Sequence, residues 1–329
     1  MDVVQILRSM ADSLDVRLRI ASHNVQGINS PIKRRKLMDH YKSLHLDIVM
    51  LQETHFPVRY SPTFIHSYFP QFYLASAENK TKGVAILISK KCTFVKISDT
   101  VDPEGRFILV KGKIGDQLFS LVSYYAPNRG QAKFFKSLLD TLSPELEGTI
   151  VFGGDSNTAL DQGLDKSKPP GSRVLRPTKE SLKIAKILHE FGLADTWREL
   201  NPSKRDYTHF SHPHLTYARI DHILIPSTSL PTVLSASIRD SALSDHSLVI
   251  ISLALGLPEG SRLFWRLNES LLSDPVRVAE IEKALTEYFL DNDNDSVPPA
   301  TLWAAHKSMM TGKLIQIASK LKRERRADT

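Results

Sequence analysis

The sequence predicts an α/β fold, and three observations predict it. Short apolar runs rich in β-branched residues recur at Asp47–Leu51, Gly83–Ser89, Thr149–Phe152 and Leu248–Leu255, the signature of buried strands. Segments with helical spacing and clear start signals lie between them. Six strand-like runs end in acids, amides, a tyrosine or a histidine, and α/β folds gather chemistry at strand ends.

Taken in order, Val3, Val4, Leu7, Met10 and Leu14 fall at helical spacing, so residues 1–16 read as a helical extension. Arg17–Ser22 alternates basic and apolar residues as a strand and runs into HNVQGIN at 23–29. Ser30 and Pro31 supply an N-cap and first-turn pair, and Leu37, Met38, Tyr41 and Leu44 give a helical face. Lys33-Arg34-Arg35-Lys36 occupies its first turns. Bases there oppose the helix dipole, which leaves a solvated face or a DNA-backbone contact. Asp47–Leu51 ends in Gln52-Glu53-Thr54, and residues 55–82 read as loop. Gly83–Ser89, Phe107–Lys113 and Leu118–Tyr125 read as successive strands, the last leading to Tyr125-Ala126-Pro127-Asn128. Phe134, Phe135, Leu138, Leu139 and Leu142 mark a helix stopped near Pro144.

The strand from Thr149 is expected to break at Gly153-Gly154 in a tight turn that presents Asp155 and Asn157. Residues 161–177 form a basic loop with Lys166, Lys168, Arg173 and Arg176. A helix runs from a Thr178 cap to Phe191, with Gly192 after it. Thr208 follows in Tyr207–Phe210. Residues 211–216 then form a hairpin-like finger with His212 and His214, leading into a strand at Tyr217–Ile225 that carries Arg219 and Asp221. Ser244-Asp245-His246 precedes the final strand. After Pro258 strand signals cease, and Val278–Leu290 and Thr301–Lys322 show helical periodicity.

Composition bounds the function. The apolar runs are far too short to span a bilayer, and the N-terminus has no signal-peptide layout. A single cysteine, Cys92, excludes an internal disulfide and a thiolate metal cluster, and favours a reducing compartment. Residues 1–256 hold 32 Lys/Arg against 25 Asp/Glu, whereas 257–329 balance at 11 each. The whole excess of +7 therefore sits with the larger part, as a polyanion-binding protein requires.

The ordered set HNVQGIN, LQETH, YYAPN, GGDSNTA, YTHF, RIDHI and LSDHS resembles the exonuclease III and apurinic-endonuclease branch of the endonuclease/exonuclease/phosphatase superfamily. The phrases GVAILIS, YAPN, TYARIDHI and LSDHS resemble the endonuclease domain of LINE-type (non-LTR) retrotransposons in particular. The resemblance covers about residues 17–255. It implies a four-layered α/β sandwich over 17–256, two central mixed sheets flanked by helices, with a C-terminal helical extension. Residues 257–329 resemble a helical linker leading towards a reverse transcriptase in a longer polypeptide.

The resemblance also implies roles. Glu53 would be the main Mg²⁺ ligand (Mn²⁺ a possible substitute), with Asp245 and Asn24 near the metal. Asp155 would orient or deprotonate the attacking water. Tyr125, Asn128 and Asn157 would contact the phosphate. His246 would neutralise the phosphorane charge, with Asp221 fixing its tautomer. The residue types independently suit phosphodiester hydrolysis. Mg²⁺ takes hard oxygen ligands, a cationic histidine offsets developing charge, and an ionised aspartate serves as base. One departure is Gln26, where apurinic endonucleases typically have an aspartate; this disfavours optimised abasic-site repair. Lys80, Lys82, Arg129, Lys166, Lys168 and Arg173, with Thr208, His212 and His214, are the candidates for contact with double-stranded DNA. The expected function is a Mg²⁺-dependent endonuclease that nicks one DNA strand and leaves a 3′-hydroxyl for target-primed reverse transcription, acting in the nucleus after synthesis in the cytoplasm. The alternatives are a phosphatase on inositol phosphates or phospholipids, and a catalytically silent DNA-targeting module.

Overall fold

In a computed structural model, two six-stranded sheets pack face to face. It describes residues 17–58, 66–78, 80–167, 176–213, 215–255 and 274–292, with 302, 306, 309, 310, 313, 314 and 317. Expectations for 1–16, Lys168, Arg173 and His214 lie outside the described residues. The first sheet has the order β13-β14-β1-β2-β4-β3. Its strands are β1 (Arg17–Asn24), β2 (Ile48–Gln52), β3 (Gln71–Ala75), β4 (Val84–Ile88), β13 (Val233–Arg239) and β14 (Leu248–Ala254). The second, β5-β6-β7-β8-β12-β9, is built from β5 (Phe94–Val101), β6 (Phe107–Ile114), β7 (Gln117–Tyr125), β8 (Thr149–Asp155), β9 (Leu193–Asp195) and β12 (Asp221–Pro226). Each sheet has one parallel pair at its centre, β1 with β2 and β7 with β8. A parallel neighbour needs a crossover, and α1 (Pro31–Ser43) and α2 (Gln131–Leu142) provide them.

Alternation along the strands makes the layers. Leu18, Ile20, Met50, Ile86, Leu121, Val151 and Ile223 fill the space between the sheets. Odd-even partners point outward: Val49, Leu51 and Ile250 meet Leu37, Met38 and Tyr41 of α1. On the far side Val122, Phe152 and Leu224 meet Phe135 and Leu139 of α2 and Ile184 of α3 (Lys179–Glu190). This is the four-layered sandwich. Local signals act as expected at both helix starts: Ser30 Oγ accepts from the Lys33 N–H, and Thr178 forms a capping box with Ser181.

Three expectations need correction. Residues 55–82 are not all loop, because β3 lies there, and β5, β9 and β13 also had no strand signal. All four are sheet edges. An edge buries one face at most and accepts polar residues, so β5 reads FVKISDTV and β13 reads VLSASIR, without a clean apolar run. The strand expected over Tyr217–Ile225 is two: β11 (Thr216–Ala218) pairs with β10 (His209–Ser211) as a hairpin, and Arg219-Ile220 separates it from β12. Finally, Gly153 and Gly154 do not turn the chain; they are the penultimate residues of β8. A Cβ at Gly153 would meet Met50 and Ser22 of the facing sheet, and one at Gly154 would collide with Tyr124. The glycines serve close packing beneath the strand end.

The chain divides into two compact units, Met1–Pro258 and Glu259–Thr329. In the second, α4 (Pro275–Asn292) places Ile281 against Met310, Leu314 and Ile317, all helical, and Lys313 pairs with Glu280 at 2.8 Å.

Candidate active site

Register brings the polar strand ends together. Asp155 pairs with Tyr125 on the parallel side and with Asp221 on the antiparallel side, so three strands present these residues in one row. Asn24 closes β1 opposite Gln52 of β2, and Glu53 follows at φ +53°. Such a φ is uncommon for a side-chain-bearing residue and marks a local constraint. Asn24 then joins the sheets: its Nδ2 donates to Glu53 Oε1 and to Asp155 Oδ2, both at 2.9 Å. Its Oδ1 accepts the Gln26 N–H at 3.1 Å. Asn24 therefore bridges two carboxylates. Beneath them Gln52 links the sheets through Ser22 and Ser123.

Asp155 is also held by the Asn157 N–H at 2.8 Å, with Asn157 at φ +48°, an Asx-type turn. Asn157 Nδ2 donates to the Ala126 carbonyl at 2.8 Å. Burial first, then the Asp221 carboxylate, push Asp155 up to about 7. Tyr125 is likewise pushed up, by burial and then by Glu53, so it stays a neutral phenol. Asn128 is exposed next to it.

His246 donates through Nδ1 to Asp221 Oδ2 at 2.8 Å. Burial disfavours a charged ring, but Asp221 outweighs it and raises His246 to about 10. The same pairing outweighs burial at Asp221 and holds that carboxyl below its usual range. His246 is thus an imidazolium with Nδ1–H on Asp221. The main chain of the pair is fixed by residues with no obvious sequence signal. His23, buried and lowered to about 3 by its burial, contacts the His246 carbonyl through Nε2 at 3.2 Å and the Tyr41 hydroxyl through Nδ1 at 2.7 Å. A neutral ring with Nε2–H satisfies both. Ser244 Oγ accepts the His246 N–H and donates to the Asn24 carbonyl.

Thr208 corrects an expectation. It is 2% exposed, and its Oγ1 accepts the N–H groups of Ile220 and Asp221 at 3.1 and 3.2 Å. It fixes the start of β12 and is not available to DNA. Its neighbour His209 sets its ring against that of His246, with centroids 4.6 Å apart and planes tilted. Burial and then the His246 charge lower it.

At the rim Asp245 is exposed, and its Oδ2 accepts from Gln26 Nε2 at 3.1 Å. Of the basic run at 33–36, Arg35 and Lys36 are exposed, whereas Lys33 and Arg34 turn towards the main chain. Lys33 Nζ donates to the carbonyls of Val25 and Gln26, and Arg34 to those of Ile28 and Asn29, fixing the loop after β1. Lys80, Arg129 and His212 are exposed. Lys82 pairs with Glu104 at 3.3 Å, and Lys166 bridges by its backbone to Ala218, tying its loop to β11.

Similarity to known proteins decides the family. The model of the endonuclease/exonuclease/phosphatase family matches residues 21–246. The chain belongs to that family. Endonuclease/exonuclease/phosphatase proteins are divalent-metal-dependent phosphoester hydrolases, and the chain is an enzyme of this kind, in agreement with the motifs. A Xenopus laevis relative, the transposon TX1 uncharacterized 149 kDa protein, is 27% identical over 266 residues, which are 78% of this chain and 20% of that protein. The chain thus spans about a fifth of that relative's length.

Solved structures of the same family share the fold. The AP endonuclease LMAP of Leishmania major has a TM-score of 0.62 at 16% identity, covering 74% of this chain and 89% of that one. The APE2 catalytic domain of Xenopus laevis gives 0.58 at 19%, covering 74% and 94%. An AP endonuclease of Archaeoglobus fulgidus gives 0.58 at 20%, covering 71% and 98%.

The residues present fit the metal that the family uses. Glu53 and Asp155 lie side by side with one amide between them, and among the described residues no lysine or arginine pairs with either. Two carboxylates held together with only histidines beside them, His55 Nε2 lying 3.2 Å from Glu53 Oε2, form a hard-oxygen site. A second cluster that could hold a metal, Asp165, Asp195 and His222, does not fit: Arg219 ion-pairs with Asp165 at 2.8 Å and Asp195 at 2.6 Å, and Arg198 adds a further pair to Asp165.

Proposed function

We propose that the chain is a Mg²⁺-dependent DNA endonuclease that nicks one strand and leaves a 3′-hydroxyl for target-primed reverse transcription in the nucleus. One observation carries this reading: the single Asn24 amide donates to both Glu53 and Asp155, beside a histidine kept cationic by Asp221. A candidate base and a cationic histidine around one carboxylate site support this reading. The likeness to a transposon protein and to AP endonucleases supports DNA as substrate, as does the basic charge of residues 1–256.

In this reading Asp155, with its proton affinity raised towards neutrality, takes the proton of the water that attacks phosphorus. The new bond forms between that water oxygen and phosphorus, the bond from phosphorus to the 3′-oxygen breaks, and the leaving oxygen takes a proton from solvent water to become the 3′-hydroxyl. The imidazolium of His246 donates to a non-bridging oxygen as negative charge gathers there. Tyr125, Asn128 and Asn157 orient the phosphate. Glu53, with Asp245 at the rim, holds the Mg²⁺, which supplies Lewis-acid charge to the phosphate when bound. Lys80, Arg129 and His212 contact the DNA backbone and groove. The unit Glu259–Thr329 leads towards a reverse transcriptase in the same polypeptide. A plasmid-nicking assay with Mg²⁺ or EDTA tests this, with Glu53→Ala and His246→Ala alongside and polymerase extension reporting the 3′-hydroxyl. An inactive parent chain defeats the proposal; nicking untouched by both substitutions defeats the site.

A further inference from the structure

His209 opens β10 with its ring against that of His246, centroids 4.6 Å apart and planes tilted by 36°. Main chain on both sides fixes the stack. His209 and His246 pair as an isolated bridge, and the Ser247 N–H donates to the Thr208 carbonyl at 2.8 Å. The His209 side chain keeps 24% of its surface exposed, with Nε2 3.9 Å from Asp245 Oδ2. Its ring therefore borders the cleft.

The catalytic histidine needs such a neighbour. Asp221 holds His246 at one atom, Nδ1. A planar ring held at one atom can still tilt about that contact. A tilt of about 30° would carry the far nitrogen roughly 1 Å out of line, and a 1 Å misplacement can cost on the order of 10²-fold in rate. Among the described residues His209 is the one ring stacked on His246. Stacking by an aromatic ring on a cationic one is attractive, and β10 carries that ring on a backbone already tied to Asp221 through Thr208.

We propose that His209 is a positioning residue whose ring face fixes the imidazole plane of His246 so that Nε2 addresses the scissile phosphate. This rests on the role given to His246 above. The role belongs to the flat ring of His209 and not to its nitrogens, which sets the test.

The full chain is compared with His209→Ala and His209→Phe in the Mg²⁺ nicking assay. Alanine is expected to lower kcat by about 10- to 100-fold with KM changed less than about threefold, and phenylalanine to recover most of the loss. Unchanged kcat in alanine, or phenylalanine as poor as alanine, overturns the proposal. A second measurement is independent of activity: the low-field NMR signal of the His246 Nδ1–H on Asp221. It should broaden or vanish in His209→Ala and persist in His209→Phe. Persistence in both overturns the positioning role even in an active enzyme. An inactive parent chain whose NMR signals follow the expected pattern defeats the nuclease reading and leaves the stacking role standing.

Discussion

Two buried clusters of the same residue types sit back to back on the second sheet, and they do opposite things. Asp155, Asp221 and His246 lie on the face towards the first sheet; Asp165, Asp195 and His222 gather behind it. Asp221 and His222 are consecutive, so the strand's alternation sends one to each cluster. Behind the sheet, Arg219 and Arg198 satisfy the carboxylates and stack over Trp197, and His222 meets Ser156. In front, the cation is a titratable histidine, and Glu53 adds a further carboxylate through Asn24. The difference teaches that a cluster's chemistry is set by its counter-charge. A permanent guanidinium closes one set of carboxylates into structure, whereas a histidine and a shared amide leave the other with demand for a metal and a proton.

The largest effect that would sharpen this contrast is on rate. Asp155→Asn removes the base and keeps one of the two accepted hydrogen bonds, because an amide has a single acceptor oxygen, and nicking should fall by about 10²- to 10⁴-fold with only a small change in the urea midpoint. Glu53→Ala should behave similarly. Asp165→Asn should leave nicking per folded molecule within a few-fold. If Asp165→Asn instead abolishes cleavage in a folded chain, the two clusters are not separable and the contrast fails.

The reverse asymmetry should appear in stability. Arg219→Met strips the counter-charge from two buried carboxylates, and removing one partner of a buried pair costs about 3–5 kcal/mol. Urea unfolding should show that loss, larger than for any single change at Glu53 or Asp155. Equal losses at the two clusters would mean that the front cluster is structural too.

Legibility in the sequence divides along similar lines. Central strands such as β2 (IVMLQ) and β4 (VAILI) are buried on both faces, so composition alone reveals them. The edges β3, β5, β9 and β13 carry mixed residues because one side faces solvent, and they were invisible. At the site, Asn24, Glu53, Asp155, Asp221 and His246 could be read because each ends or begins a strand with an acid, amide or histidine. Thr208, His23 and Arg219 could not. What Thr208 does depends on which N–H groups lie 12 and 13 residues away, and His23 acts on a carbonyl 223 positions distant. Register across two sheets decides those contacts, and no local pattern encodes it. Gly153 and Gly154 show the same limit: a turn is the local reading, but the facing Met50 and neighbouring Tyr124 are the cause.

Acid titration offers a smaller test. Burial, then Arg219, lower His222 to about 4, against about 6.5 in an unfolded chain. Between those values the unfolded state binds a proton that the folded state refuses, so His222 costs stability as pH falls from 6.5 to 4. The full effect is on the order of 3 kcal/mol. Asp155, raised to about 7 from 3.8, works in the opposite sense over the whole of this window, because the folded carboxyl takes up its proton first. The difference between the parent chain and His222→Gln isolates the histidine: the variant should lose less stability between pH 6.5 and 4. Equal slopes would show that His222 is not held neutral by Arg219.

Metal binding gives the smallest effect and the sharpest separation of the clusters. A divalent ion that binds only the folded chain stabilises it by about 1.4 kcal/mol at ten times its Kd. Thermal unfolding with Mg²⁺ and with EDTA should show an upward shift in the parent chain. Glu53→Ala should erase that shift, because the front site loses the carboxylate proposed as its main metal ligand. Asp165→Asn should start from a lower Tm and keep the shift intact, since Arg219 already occupies the coordination space behind the sheet. A shift lost in Asp165→Asn and kept in Glu53→Ala would place the metal behind the sheet, and with it the chemistry.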